Sequence, residues 1–154
     1  MYKRQFPNIL PSDRLAIVAA INPVSQAAGA VSTGWISMQN WRSVMAIVQA
    51  GVLGAAATLD ARLEQATSAA GAGAKDIAGK AVTQLTQAGA DSNKQAIVNL
   101  RQVELDFANG YSHVRLTLTV ATQASLVSAV LLGLDARYNP ASDSDAASVD
   151  EIVV

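Results

Sequence analysis

The strongest constraint on the fold is the alternation of apolar and polar residues in two segments. In residues 113–120 every second residue is valine or leucine, and the Asn109-Gly110 pair before them is typical of a tight turn. In residues 58–66, Leu59, Ala61 and Leu63 alternate with charged residues. A period of two places the two classes of side chain on opposite faces of a β-strand. The pattern therefore predicts two strands, each buried on one face.

A helix is the alternative for residues 58–66, because Leu59 and Leu63 are also one helical turn apart. Residues 68–74 (SAAGAGA) decide between the two, since this small, glycine-containing stretch is a poor helix interior and a suitable loop. Residues 76–85 are then expected to pair with residues 58–66 across that loop. The sequence predicts a β-hairpin here.

Other apolar runs bounded by turn residues predict further strands, at residues 44–48, 95–100 and 127–132. The first is short and bracketed by glycine, which is typical of a strand buried on both faces. The alternation changes phase after Leu100, which predicts a β-bulge or a bend near Arg101-Gln102. Residues 15–21 are either a short helix capped by Ser12 or Asp13, or a first strand.

Seven or eight short strands separated by turns predict an all-β fold, an antiparallel β-sandwich of jelly-roll-like type. Residues 1–14 show no period and are expected to form an extended N-terminal arm. Residues 15–140 are the sandwich domain, and residues 141–154 form an acidic C-terminal tail.

Composition narrows the possible functions. Charged residues make up 15% of the 154 residues and the net charge is −1, whereas roughly a quarter is typical of soluble domains. This low charge indicates that part of the surface is covered by a partner. The absence of cysteine and the single His113 argue against thiolate catalysis and a metal site. Scattered basic residues predict no nucleic-acid partner, and no apolar run reaches the roughly 18 residues expected of a membrane span.

No motif points to catalysis or to a cofactor. The segment from Gly73 to Lys80 differs from a phosphate-binding loop in its glycine spacing, and Ala81 lies where Ser or Thr would bind magnesium. The carboxylate pairs Asp60/Glu64 and Glu104/Asp106 have the spacing of a solvated strand face. His113 is interpreted as a surface or interface residue. We therefore expect no enzyme, no catalytic residue, no cofactor and no metal.

Aromatic and apolar residues at defined positions are the candidates for binding a partner. Trp35 and Trp41 either pack in the core at one end of the sandwich, which we favour, or form a platform for a sugar or a partner. Aromatic residues on an extended arm have no local core to join, so we expect them to dock on another subunit. The predicted partner-binding residues are Tyr2, Lys3, Arg4, Phe6, Ile152, Val153 and Val154.

Three stretches together resemble a known group of proteins. They are residues 41–51, residues 59–80 and residues 110–140, the last containing the patterns GY-x-x-VR (from Gly110) and ARY-x-P (from Ala136). In this order they resemble small structural proteins of tailed bacteriophages and prophages that are typically encoded near the major capsid protein. The resemblance covers about residues 35–140 and brings no active site with it.

This resemblance implies a capsid decoration or cement protein with a jelly-roll-like sandwich. Its expected partners are the phage major capsid protein and further copies of itself, as a dimer or trimer. Its expected location is the capsid surface of the virion, after synthesis in the cytoplasm of the bacterial host. A carbohydrate- or receptor-binding module of the virion and a head–tail connector or neck component are the alternatives.

Overall fold

The computed structural model describes residues 9–154, and strands dominate it. The elements are α1 (Pro11–Arg14), β1 (Leu15–Gln26), β2 (Gly29–Ser32), β3 (Ile36–Ser37), β4 (Trp41–Ala50), β5 (Thr58–Ala66), β6 (Lys75–Ala81), β7 (Leu85–Thr86), β8 (Gln95–Arg101), β9 (His113–Ala121) and β10 (Ser125–Ala136). Short 3₁₀ helices lie at Gln102–Glu104, Phe107–Asn109 and Ala141–Ser144. Among these elements no helix is long and apolar enough to cross a membrane.

The strands form two antiparallel sheets. The first sheet has the order β1-β10-β4-β8, and the second has the order β2-β9-β5-β6, with β3 also beside β9 and β7 also beside β5. If β2 with β3, and β6 with β7, are each counted as one strand, the described strands number eight. Successive strands along the chain then alternate between the two sheets, except for β5 and β6, which are neighbours in the second sheet. Eight strands in this order are the jelly-roll arrangement. The predicted antiparallel, jelly-roll-like sandwich is confirmed.

The core lies between the two sheets and is built by the alternation seen in the sequence. On β9 the inward residues Val114, Leu116, Leu118 and Val120 are at most 1% exposed. Residues 58–66 form β5 as predicted, and their pairing with β6 and β7 closes the expected hairpin. Each fully buried leucine or valine contributes about 1.5–3 kcal/mol. The inward rows of β5 and β9 are therefore a main source of stability.

Two local interpretations are resolved or corrected by the structure. Residues 15–21 belong to strand β1, and the only helical turn beside them is α1, which precedes them. Of the β-bulge and the bend considered near Arg101-Gln102, the β-bulge is wrong, because β8 ends at Arg101 and the chain turns into a 3₁₀ helix. The Glu104 carboxylate accepts a hydrogen bond from the Arg101 backbone N–H at 2.8 Å and holds that turn. The change of phase in the sequence marks the end of a strand.

The first part of the C-terminal tail is attached to the sandwich. Ala141 is fully buried, and the backbone N–H of Ala146 donates to the carbonyl of Ile17 at 2.7 Å. In return the backbone N–H of Ile17 donates to Oδ1 of Asp145 at 2.7 Å. These bonds cover part of the outer edge of β1, which is an edge strand of the first sheet.

Candidate protein interface

The outer face of the first sheet carries a row of apolar side chains across all four strands. Ala20, Val130, Ile47 and Ile97 are direct partners in the register of β1, β10, β4 and β8. Directly paired residues on antiparallel strands point to the same face. Their neighbours along the strands, such as Leu131 and Val48, are buried in the core, so this row points outward.

A second row runs parallel to the first. Ile17, Leu132, Met45 and Asn99 are paired across the same four strands and also point outward. With the first row and the flanking residues Leu15, Leu126 and Leu134 they form what we call the outer apolar face. Ile97 is 58% exposed and Leu126 is 48% exposed, and the other apolar members are partly exposed.

Strands β4 and β10 are therefore apolar on both sides. The prediction that residues 44–48 are buried on both faces is wrong for the single chain, since Met45 and Ile47 face outward and are partly exposed. Residues 126–134 (LVSAVLLGL) carry the same signal, because nearly every position is apolar with no alternation. That continuous pattern is the sequence feature that could have located this face.

Polar residues border the outer apolar face. Gln49, Gln95 and Ser128 lie at one end, and Ser43 and Arg101 lie at the other. Leu126 and Ser128 also line a hollow of about 460 Å³ at the first of these ends. An apolar centre with a polar border is the usual anatomy of a protein–protein interface.

The outer face of the second sheet is different, because it carries a network of charged side chains around Glu64. Oε2 of Glu64 accepts hydrogen bonds from Nε of Arg115 at 2.6 Å and from the hydroxyl of Thr117 at 2.7 Å. Its Oε1 accepts one from Arg62 at 3.2 Å. Burial raises the pKa of the Glu64 carboxyl, but the hydrogen bonds from Thr117 and Arg115 and the charges of the two arginines lower it further than burial raises it. Glu64 is thus held as a buried carboxylate.

Trp35 covers this network. Its ring lies 4.5 Å from the guanidinium carbon of Arg115, which is a cation–π arrangement. Gly71, in the loop between β5 and β6, lies against the Trp35 indole, and a Cβ there would come within 2.5 Å of its Nε1. Glu64 itself, hydrogen-bonded to both arginines and to Thr117, is only 7% exposed, whereas the strand pattern predicts a solvated face.

The structure separates the candidate catalytic carboxylates. Asp60 accepts from Gln84, while Glu64 lies in the arginine network. Glu104 pairs with Lys80 and Arg101, and Asp106 pairs with Lys75 at 2.7 Å. Each carboxylate thus has its own partners, and these ion pairs have the character of structural contacts.

The structure also locates the other residues that the sequence singled out as candidates for binding or chemistry. Trp41 is 4% exposed and packs against Gly133, as the core interpretation predicts. The segment considered as a phosphate loop contains most of strand β6, and the Gly73 carbonyl accepts a hydrogen bond from the hydroxyl of Tyr111. His113 is partly buried beside Ser112. In residues 9–154 no group of three or more His, Cys, Asp or Glu could hold a metal ion.

The predicted partner-binding residues fall in two groups. Tyr2, Lys3, Arg4 and Phe6 lie outside the described residues. At the other end, Ile152, Val153 and Val154 are 44%, 84% and 91% exposed. Three apolar side chains at the end of the tail thus face solvent in the single chain.

Known proteins resemble this chain in structure and not in detectable sequence. No protein-family model and no curated protein matches the chain. Among solved structures, the chain is similar to a chain of the cryo-EM structure of Broad Bean Stain Virus, with a TM-score of 0.48 and 12% identity over 90% of this chain and 94% of that one. A likeness this weak carries no argument about function. The jelly-roll assignment rests on the strand order of the protein itself.

Proposed function

We propose that this protein is a structural component of a virion, a decoration or cement protein that binds the outside of a phage capsid. The observation that carries the proposal is the exposed apolar end of the C-terminal tail, formed by Ile152, Val153 and Val154. Three of the chain's four candidate carboxylates are engaged in ion pairs and Asp60 accepts a hydrogen bond from Gln84, so its exposed features favour association over chemistry. The low charge of the chain and the resemblance of residues 35–140 to phage structural proteins support the same role.

The proposed mechanism is physical. A capsid shell is held by many symmetric contacts, and a module that bridges neighbouring major capsid protein subunits adds buried area at each seam. Because the module binds the assembled shell and not its separated subunits, it stabilises the assembly by mass action. The expected result is a shell that resists heat and internal pressure better when the protein is bound.

We assign the capsid contact to the C-terminal end of the tail, together with Tyr2, Lys3, Arg4 and Phe6. Asp145 and Ala146 fix the start of the tail on β1, and residues 147–154 could extend up to about 26 Å from that point. Ile152, Val153 and Val154 provide an exposed apolar end with high β-propensity. Such a segment can add to an exposed strand edge of a neighbouring subunit.

The alternative of a sugar- or receptor-binding module has less support. It depends on exposed tryptophan platforms, but Trp41 is buried and Trp35 is stacked on Arg115. The head–tail connector has no observation in its favour among the described residues.

Counting copies in purified particles tests the proposal. A cement protein is expected in hundreds of copies per particle, and a connector or fibre in about a dozen or fewer. Particles that contain no copy of the chain would contradict every virion role.

Binding of the purified protein to shells that lack it tests the role of the tail. Deletion of residues 152–154 is expected to weaken this binding at least about tenfold. The exposed Val103, replaced by Ala, is a control expected to bind normally.

A further inference from the structure

We propose that the outer apolar face binds a second copy of this chain, so that two first sheets pack face to face about a two-fold axis. This inference goes beyond the proposed function, because it concerns how the protein associates with itself in solution, with or without a capsid. It names the surface, the partner and the symmetry of the contact.

The size of the face is appropriate for a dimer. Four strands about 4.8 Å apart, three of them ten to twelve residues long and β8 seven, present roughly 600 Å² of flat area. The side chains make the accessible surface larger, so it approaches the roughly 800 Å² per partner of a standard interface. Apolar patches on monomers are mostly about 300–600 Å². The apolar centre of the face, which is smaller than the whole face, is therefore in the size range that is often functional.

The charge of the face favours a second copy as the occupant. The two central rows contain only apolar residues and Asn99. Two identical faces can therefore meet without like charges opposing each other, which is the main obstacle to isologous contact. The one arginine at the border, Arg101, is already paired with Glu104. A partner that recognises charge would find nothing complementary in the centre.

The geometry of the face is also suitable. It is part of a regular four-stranded sheet, and two sheets pack with interdigitating side chains at a separation of about 10 Å. Val130 and Ile47 lie on the two central strands and would be at the centre of the contact. Ile97, on the edge strand β8, is the most exposed apolar member and would lose the most apolar surface.

The test is the oligomeric state of the purified full chain, measured by sedimentation at several concentrations. The wild-type protein is expected to be a dimer at micromolar concentration. The double variant Ile97→Asp/Val130→Asp is expected to raise the dimer dissociation constant at least about 100-fold, because it buries four unpaired charges per dimer. Val103→Asp places the same charge at an exposed apolar residue outside this face and is expected to leave the dimer intact.

Folding is checked by circular dichroism, and if the double variant does not fold, Ile97→Asp alone takes its place because residue 97 is already largely exposed. A monomeric wild-type protein would overturn the proposal, as would a trimer or a dimer that the Asp variants leave intact. A monomer that dimerises only after deletion of residues 1–8 would show that the chain's own N-terminal segment covers the face. A monomer whose shell binding is abolished by Ile97→Asp would assign the face to the capsid. Either result would also refute the proposed dimer.

Discussion

Nε of Arg115 lies 2.6 Å from Oε2 of Glu64, in a pair that is covered by the ring of Trp35. Because the side chain of Glu64 is only 10% exposed, its charge is compensated by protein groups more than by water. Removing one member of such a pair leaves the other buried without compensation. The first prediction follows from this relationship.

Glu64→Gln is expected to lower the free energy of unfolding by about 1–3 kcal/mol, since it keeps the volume and leaves Arg62 and Arg115 without their common anion. Urea denaturation measures the difference. The control is Asp60→Asn on the same strand, whose contact with Gln84 is exposed, and it is expected to cost less than about 0.5 kcal/mol. Equal effects of the two variants would contradict a special role for the network.

Acid is expected to destabilise the protein through Glu104. The hydrogen bond from the Arg101 backbone, followed by those from the side chains of Lys80 and Arg101, lowers the pKa of Glu104 from 4.5 to about 2. A lowered pKa in the folded state contributes stability above the unfolded value, and this contribution is lost as the pH falls from about 4.5 towards 2. Glu104→Gln is expected to flatten the stability profile in this window. Melting temperatures between pH 2 and 7 would show it, and an unchanged slope would count against the assignment.

Gly71→Ala is expected to destabilise the protein more than Gly79→Ala. Both glycines have positive φ, +81° and +72°, so alanine costs about 1–2 kcal/mol of backbone strain at each. At Gly71 the added Cβ also meets the Trp35 indole, while at Gly79 it meets open space. Thermal unfolding measures the difference, and tryptophan fluorescence is expected to change only for Gly71→Ala. Equal effects at the two positions would mean that Trp35 moves aside readily, and a larger effect at Gly79 would contradict the prediction.

Asp145→Ala is expected to loosen the tail. It removes the acceptor for the backbone N–H of Ile17, a loss of about 1 kcal/mol. Hydrogen exchange of the Ile17 amide is expected to become faster, while the amides of β9 stay protected. Asp150→Ala, at an exposed tail position, is the matched control. If both variants leave the Ile17 amide equally protected, the tail does not depend on this bond.

Much of the fold follows from local pattern. The alternation in β5 and β9 predicts both strands and their inward residues, because a half-buried strand imposes a period of two. The glycine-containing residues 68–74 correctly favour a hairpin over a helix. The strand order is beyond such reasoning, since it depends on pairings such as that of Leu15 with Leu134, which are far apart in sequence.

The surfaces were harder to predict, for physical reasons. Glu64 has the pattern of an exposed residue, and it is buried against Arg115 and Thr117, which lie on β9 and are far from it in the sequence. Conversely, Met45 and Ile47 have the pattern of a strand buried on both sides, but the described chain provides only one covering layer. A continuous apolar run indicates that both faces of a strand are covered. It does not indicate whether the same chain or another molecule covers the second face.

The bonds between the tail and Ile17 also bear on how assembly is limited. A sheet whose edge is open can recruit another chain by main-chain pairing, and that chain presents a new edge to the next, so growth has no natural end. At Ile17 both backbone groups are already occupied by Asp145 and Ala146. Strand addition is therefore blocked at this point of β1, and contacts between faces remain available. When two outer apolar faces pair, both are covered and neither can bind a third chain. Association through this face therefore stops at a dimer and does not continue into a fibre.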